Sequence, residues 1–188
     1  MATILVAGCS DLTEPVDTLL STADLLILPL QAGAPDPGSA SFWVNNAQRS
    51  THRLIHADAV NNPYLEVTFP VGSLLSLNGV SLGSSDSVLV TVDSRSGQYG
   101  FNISPNGLAF RDDSAPTVRF FFAWYADASI ADASDKYQTP SDYAEALDIW
   151  WETTVDLWRV AAGSRPDGTD IFAATVDAAG DYVLAAPR

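Results

Sequence analysis

Apolar and polar residues alternate in short runs along most of this chain, and Pro, Gly, Asn and Asp cut the runs. Tyr64-Leu65-Glu66-Val67-Thr68-Phe69 alternates until Pro70, and Val88-Leu89-Val90-Thr91-Val92 is followed by a turn at 94–97. Tyr99-Gly100-Phe101-Asn102-Ile103 then runs into Ser104-Pro105-Asn106-Gly107. A period of two built from β-branched and aromatic residues marks a half-buried strand. Two earlier runs, 41–44 and 53–56, flank a polar stretch containing Asn45-Asn46, which predicts a hairpin. The longest apolar run, 117–125, sets Phe120, Phe122 and Trp124 on one face and Phe121, Ala123 and Tyr125 on the other. A strand apolar on both faces belongs in the middle of a sheet. Runs 147–152 and 157–160 pair about a turn at 153–156, and 171–176 and 182–185 close the chain across Asp177-Ala178-Ala179-Gly180. About nine short strands, spaced roughly 8–12 residues apart, predict an all-β fold, an antiparallel β-sandwich.

The stretch 126–146 breaks this pattern as an insertion. Thr139 offers a capping hydroxyl, Pro140 suits the first helical position, and Asp142 and Glu145 sit near the positive end of the helix dipole. One short helix is predicted over 139–146. The length, 188 residues, suits one domain whose core needs no metal or disulfide.

Cys9 is the only cysteine, and it follows Val6-Ala7-Gly8. This segment resembles the bacterial lipoprotein signal, in which an apolar residue and two small ones precede a thiol that takes the lipid and becomes the new N-terminus. The resemblance implies a lipid-anchored protein of the cell envelope, at the periplasmic face or the outer membrane. Residues 1–8 then form a signal remnant, 9–40 an N-terminal tether with a first extended segment, and 41–188 the β-sandwich domain. The leader departs from the usual pattern in having no Lys or Arg before Cys9. The alternative is that 2–7 form the first strand of a cytosolic domain, with Cys9 a small buried hydrophobe. No apolar stretch approaches the ~20 residues that a helix needs to span a bilayer, so membrane attachment falls to the lipid. The chain carries 23 acidic and 9 basic residues, a net charge of −14, with Lys136 the single lysine. Such a balance argues against nucleic acid and against adsorption to anionic headgroups.

Two further segments carry a second resemblance. Val67-Thr68-Phe69-Pro70-Val71-Gly72-Ser73-Leu74 is similar to an "apolar-Pro-x-Gly-Ala-Leu" turn, and 99–110, through Ser104-Pro105-Asn106-Gly107-Leu108-Ala109-Phe110, to a "Ser-Pro-x-Gly-Leu-x-Phe" strand and turn. With the aromatic hairpin 147–158 and the closing strands 172–185, residues 64–186 resemble the module shared by zonula occludens proteins, ankyrins and netrin receptors, in its divergent bacterial envelope form. The resemblance implies a β-sandwich used for protein contacts or scaffolding, with the long 126–146 segment as a departure from it.

Catalytic motifs are sparse: Gly-x-Ser-x-Gly, P-loop, Gly-x-Gly-x-x-Gly and His-Glu-x-x-His patterns are all missing from the sequence. His52 and His56 would lie about 13 Å apart on one strand face at ~3.3 Å per residue, too far to chelate one metal, so surface histidines are expected. Asp127, Asp132 and Asp135 cluster in the insertion as candidate calcium ligands, without the Asp-x-Asp-x-Asp-Gly spacing. Alternation points one of Trp150 and Trp151 outward, so these two with Asp148 and Glu152 form the candidate contact surface. The leading expectation is a non-catalytic, lipid-anchored envelope protein with a structural or protein-binding sandwich, no cofactor, and partners limited to the membrane and an unidentified protein. The alternative is a carbohydrate- or calcium-dependent ligand-binding module; an enzyme would need a pocket holding a histidine or paired carboxylates.

Overall fold

The computed structural model describes residues 18–188, Ala133 by its backbone alone. Cys9 and the rest of 1–17, including the signal remnant, lie outside the described residues. In chain order the strands are β1 (Leu20–Ser21), β2 (Leu25–Ile27), β3 (Ser39–Asn45), β4 (Ser50–Ile55), β5 (Pro63–Phe69), β6 (Leu74–Leu77), β7 (Val80–Ser81) and β8 (Ser87–Ser94). They continue with β9 (Gly100–Ser104), β10 (Leu108–Phe110), β11 (Thr117–Phe121), β12 (Asp148–Thr154), β13 (Leu157–Val160), β14 (Arg165–Pro166), β15 (Ile171–Thr175) and β16 (Gly180–Pro187). Eight form one sheet in the order β1-β13-β12-β16-β9-β8-β3, with β2 also beside β16. Five form a second, β14-β15-β11-β5-β4, and β10-β6-β7 make a small third. The pairings are antiparallel throughout, so the all-β expectation holds.

The core lies between the two larger sheets. Val90, Phe101, Ile103, Tyr182 and Leu184 from the first meet Leu65, Val67, Val118, Phe120 and Phe172 from the second in one buried cluster. Each such side chain adds roughly 1.5–3 kcal/mol when fully buried. Phe101 and Phe120 bridge the layers with ring centroids 5.4 Å apart. Tyr64 of β5 adds a polar staple, because its hydroxyl accepts from Gly100 N at 2.8 Å and donates to Gly100 O at 2.7 Å. Residue 100 must be glycine for this close approach. A Cβ there would sit 2.8 Å from Arg95 Cδ and 2.9 Å from Tyr182 O.

The short helix α1 (Pro140–Glu145) forms as its cap chemistry predicts, with Thr139 Oγ1 accepting from Asp142 N and Asp142 Oδ2 accepting from Thr139 N. Its insertion is tied down rather than free. The Tyr143 hydroxyl donates to Leu26 O at 3.0 Å and that of Tyr137 to Pro187 O.

Three expectations are corrected. Runs 41–44 and 53–56 are not a hairpin: β3 pairs with β8 and β4 with β5, in different sheets. The turn between them is a corner, because the buried Asn46 side chain accepts from Leu74 N at 2.9 Å and donates to Leu74 O and Gly83 O. The apolar run 117–125 stops being a strand at Phe121, and Trp124 lies in the following turn, 59% exposed. Its strand β11 is central, third of five, yet its outer face carries Arg119. The sandwich also begins well before residue 41. Leu25, Leu26 and Leu28 are buried, β1 pairs with β13, and β2 pairs with β16.

That last point gives the eight-stranded sheet an unusual outer surface. From β1 at one side of the β13-β12-β16 block the chain passes through a 3₁₀ turn, Thr22–Asp24, to β2 on the other side. This strap closes a second apolar cluster of Leu25, Trp150, Trp158, Val183 and Ala185, with Leu20 and Ile27 packed against it. Trp158 Nε1 donates to Thr22 Oγ1 at 2.8 Å, Thr22 N to Asp156 Oδ1, and Arg188 N to Asp24 O. Both ends of the chain's described length are therefore stitched into one corner.

Candidate interaction surfaces

The expected contact surface on the aromatic hairpin is not there. Alternation does set Trp150 and Trp151 on opposite faces of β12, but both faces are occupied. Trp150 is buried under the strap, its Nε1 donating to Ala185 O at 3.0 Å. Trp151, half-buried, stacks on Tyr182 at 6.3 Å and 17°, with the Arg159 guanidinium 4.7 Å from its ring. Glu152 accepts from Asp156 N at 2.8 Å and closes the hairpin turn. Asp148 accepts from Ser164 Oγ, which itself accepts from Ile149 N; burial pushes this carboxyl above its usual range. All four residues are engaged by contacts within the molecule. The exposed indoles are Trp43 (65%) and Trp124 (59%), on the edge strand β3 and in a turn.

Neither histidine is a surface residue. His52 and His56 both turn inward from the second sheet. His52 lies flat on Phe42, ring centroids 3.5 Å apart at 6°, and burial lowers its pKa below the ordinary 6.5. His56 is fully buried, its Nδ1 2.9 Å from Pro35 O and its ring edge-on to Tyr125 and Tyr64. Its partners are a carbonyl and two rings, not a carboxylate. The nearby Asp58 is pushed up by desolvation, but hydrogen bonds from Asn62, Tyr125 and Val60 outweigh that and hold it below the usual carboxylate range.

The proposed calcium ligands do not converge. Asp127 accepts from Ser129 N and Oγ, capping the 3₁₀ turn Ala128–Ala133, while Asp132 and Asp135 point into solvent. Among the described residues no three His, Cys, Asp or Glu side chains are grouped to hold a metal ion.

A surface that the sequence did not single out is the outer face of the five-stranded sheet. Strand register lines up one row across all five strands: Arg53 opposite Glu66, Glu66 opposite Arg119, Arg119 opposite Ala173, and Ala173 opposite Arg165. The next row on the same face is Thr51, Thr68, Thr117 and Thr175, with Thr51 and Thr68 hydroxyls 3.0 Å apart. Glu66 is the buried member, its side chain 11% exposed, held by Arg53 at 2.6 Å and Arg119 at 3.7 Å. Arg119 Nε lies 2.7 Å from Asp167 Oδ2 but out of line for a hydrogen bond, and its guanidinium sits 5.4 Å from the Phe121 ring.

These rows floor a cleft of about 310 Å³, walled at one end by Arg49 and at the other by Arg165 and Asp167. Arg49 makes no hydrogen bond or ion pair among the described residues, and Arg165 donates only to Gly163 O. Four of the chain's nine basic residues thus gather on one face beside two carboxylates. Periodicity could mark each arginine as an outward residue, but only the register across separate segments brings them together. No protein-family model, no curated protein and no solved structure matches this chain.

Proposed function

We propose that this chain is a non-catalytic, lipid-anchored protein of the cell envelope whose β-sandwich has a structural or protein-binding role. The strap carries this reading. A body moored through its N-terminus takes load on the segment nearest the mooring, and here residues 20–27 are hydrogen-bonded into the larger sheet on both sides of β12 and buried through Leu25 and Leu26. The motif Val6-Ala7-Gly8-Cys9 supports lipid as the mooring. The order of turn motifs between 64 and 186 supports kinship with the module of zonula occludens proteins, ankyrins and netrin receptors, which implies contact rather than reaction. The fold alone assigns no role.

The test is mass spectrometry of the N-terminal peptide after expression of the full chain, from its own start, in a bacterium that acylates lipoproteins. The expected product begins at Cys9 and carries lipid, and Cys9→Ser abolishes both the cleavage and recovery with membranes. An unmodified Met1 in the mature protein would overturn the envelope assignment.

A further inference from the structure

We propose that the arginine cleft on the outer face of the five-stranded sheet binds a small sugar anion, a monosaccharide bearing a carboxylate or phosphate group. The assignment goes beyond the structural or protein-binding reading and depends neither on it nor on the lipid, so the two fail separately.

The charge distribution is the first argument. In a chain of net charge −14, three guanidinium groups, of Arg49, Arg119 and Arg165, share one cleft with the carboxylates of Glu66 and Asp167, which makes a local positive field inside a negative surround. At physiological ionic strength charges beyond about 8 Å are screened, so an anion in the cleft feels the arginines more than the distant acids. Donor supply is the second. Glu66 occupies Arg53 and one edge of Arg119, while Arg49 and Arg165 keep guanidinium donors that no carboxylate takes. Arg119 Nε is itself buried against Asp167, 2.7 Å from Oδ2, so this side chain, 36% exposed and 5.4 Å from the Phe121 ring, faces the cleft through its terminal nitrogens. Guanidinium forks match carboxylate and phosphate oxygens in pairs.

The remaining lining selects for hydroxyl groups on the same ligand. Thr68 and Thr117 both donate and accept, and the Asp167 carboxylate accepts only, which suits sugar hydroxyls better than an aliphatic acid. Ala173 between Arg119 and Arg165 keeps the floor low. The cleft's size, about 310 Å³, is at the small end of the range for ligand sites and fits one sugar ring rather than a peptide or duplex.

Titration calorimetry of the full chain tests this with D-galacturonate, D-galactose 6-phosphate, D-galactose and inorganic phosphate, in ~50 mM salt where screening is weaker. Saturable binding of either sugar anion, at least about tenfold tighter than of D-galactose and of inorganic phosphate, is expected; which of the two binds tighter identifies the charged group. Arg119→Gln and Arg165→Gln should each weaken it about tenfold, whereas Arg111→Gln, on an exposed arginine outside the cleft, should leave it unchanged. Arg165 lies on the two-residue edge strand β14, so its variant reads the cleft even if Arg119→Gln fails to fold. Equal binding of inorganic phosphate, equal binding of neutral galactose, no saturable binding, or binding untouched by Arg165→Gln would each overturn the proposal.

Discussion

The outer faces of the two large sheets have been treated in opposite ways. On the eight-stranded sheet, β12, β13 and β16 put Trp150, Trp158, Val183 and Ala185 outward, and the chain covers them with its own N-terminal strap. On the five-stranded sheet, β4, β5, β11, β14 and β15 put threonines, arginines and one glutamate outward, and that face is left to solvent. Both faces follow the same alternation of side chains along a strand. The cover is local: the strap shields the apolar outward residues of the β13-β12-β16 block, whereas Trp43 and Leu89, opposite each other on β3 and β8 of the same sheet, stay exposed. An outward position for Trp150 or Trp158 is thus weak support for a contact surface, since the N-terminal strap has already claimed both.

Removing the covered indole gives the largest expected effect. Trp158→Ala takes away a fully buried ring and the bond to Thr22, and should cost about 3–5 kcal/mol in urea unfolding, with a loss below 1 kcal/mol breaking the contrast. Next comes Tyr143→Phe, which leaves the carbonyl of Leu26 without the insertion's hydroxyl and should cost about 1–3 kcal/mol. On the open face, Glu66→Gln should cost only about 1 kcal/mol, because Arg53 is 61% exposed and water replaces its partner. Trp43→Ala, at a 65% exposed indole, should change stability by less than ~0.5 kcal/mol by the same unfolding measurement.

The pH dependence should be small and has a defined sign. Burial lowers the pKa of His52 in the folded chain, so the unfolded chain binds more protons as pH falls below about 6.5. Stability should therefore fall on acidification through that region, and His52→Phe should flatten the profile there. Asp148 acts in the other direction: its raised folded pKa means that ionisation at neutral pH opposes folding. Asp148→Asn, which can still accept from Ser164 Oγ, should raise stability at pH 7 and have no such benefit in acid.

Much of the second sheet and the helix was legible in the chain, because both rest on local signals. The alternation of 64–69 ends at Pro70 as β5 does, and Thr139-Pro140-Ser141-Asp142 builds the cap it encodes. The strap was not legible. Its strands are only two and three residues long, and Leu25-Leu26-Leu28 has no period that separates a sheet partner from an extended tether. The false hairpin at 41–56 failed for a related reason: adjacency suggested pairing, whereas Asn46 is tied to Leu74 and Gly83, far along the chain. The arginine row was invisible because Arg53, Arg119 and Arg165 sit on three separate strands, and register is a tertiary property. The burial of His56 follows plain alternation, since it shares the inward face of buried Leu54 while Arg53 and Ile55 point out, so here the strand's parity was legible and only its inward face was not.

Amide hydrogen exchange across residues 20–28 tests most directly whether the N-terminal segment is part of the sheet. The amides of β2 and of Leu28, whose N–H donates to Leu184 O at 2.9 Å, should exchange as slowly as those of Val183 and Leu184 in β16. Exchange orders of magnitude faster, at the rate of the exposed turn at Ser96-Gly97, would mean that the strap is a loose tether and that Trp150 and Trp158 face water after all.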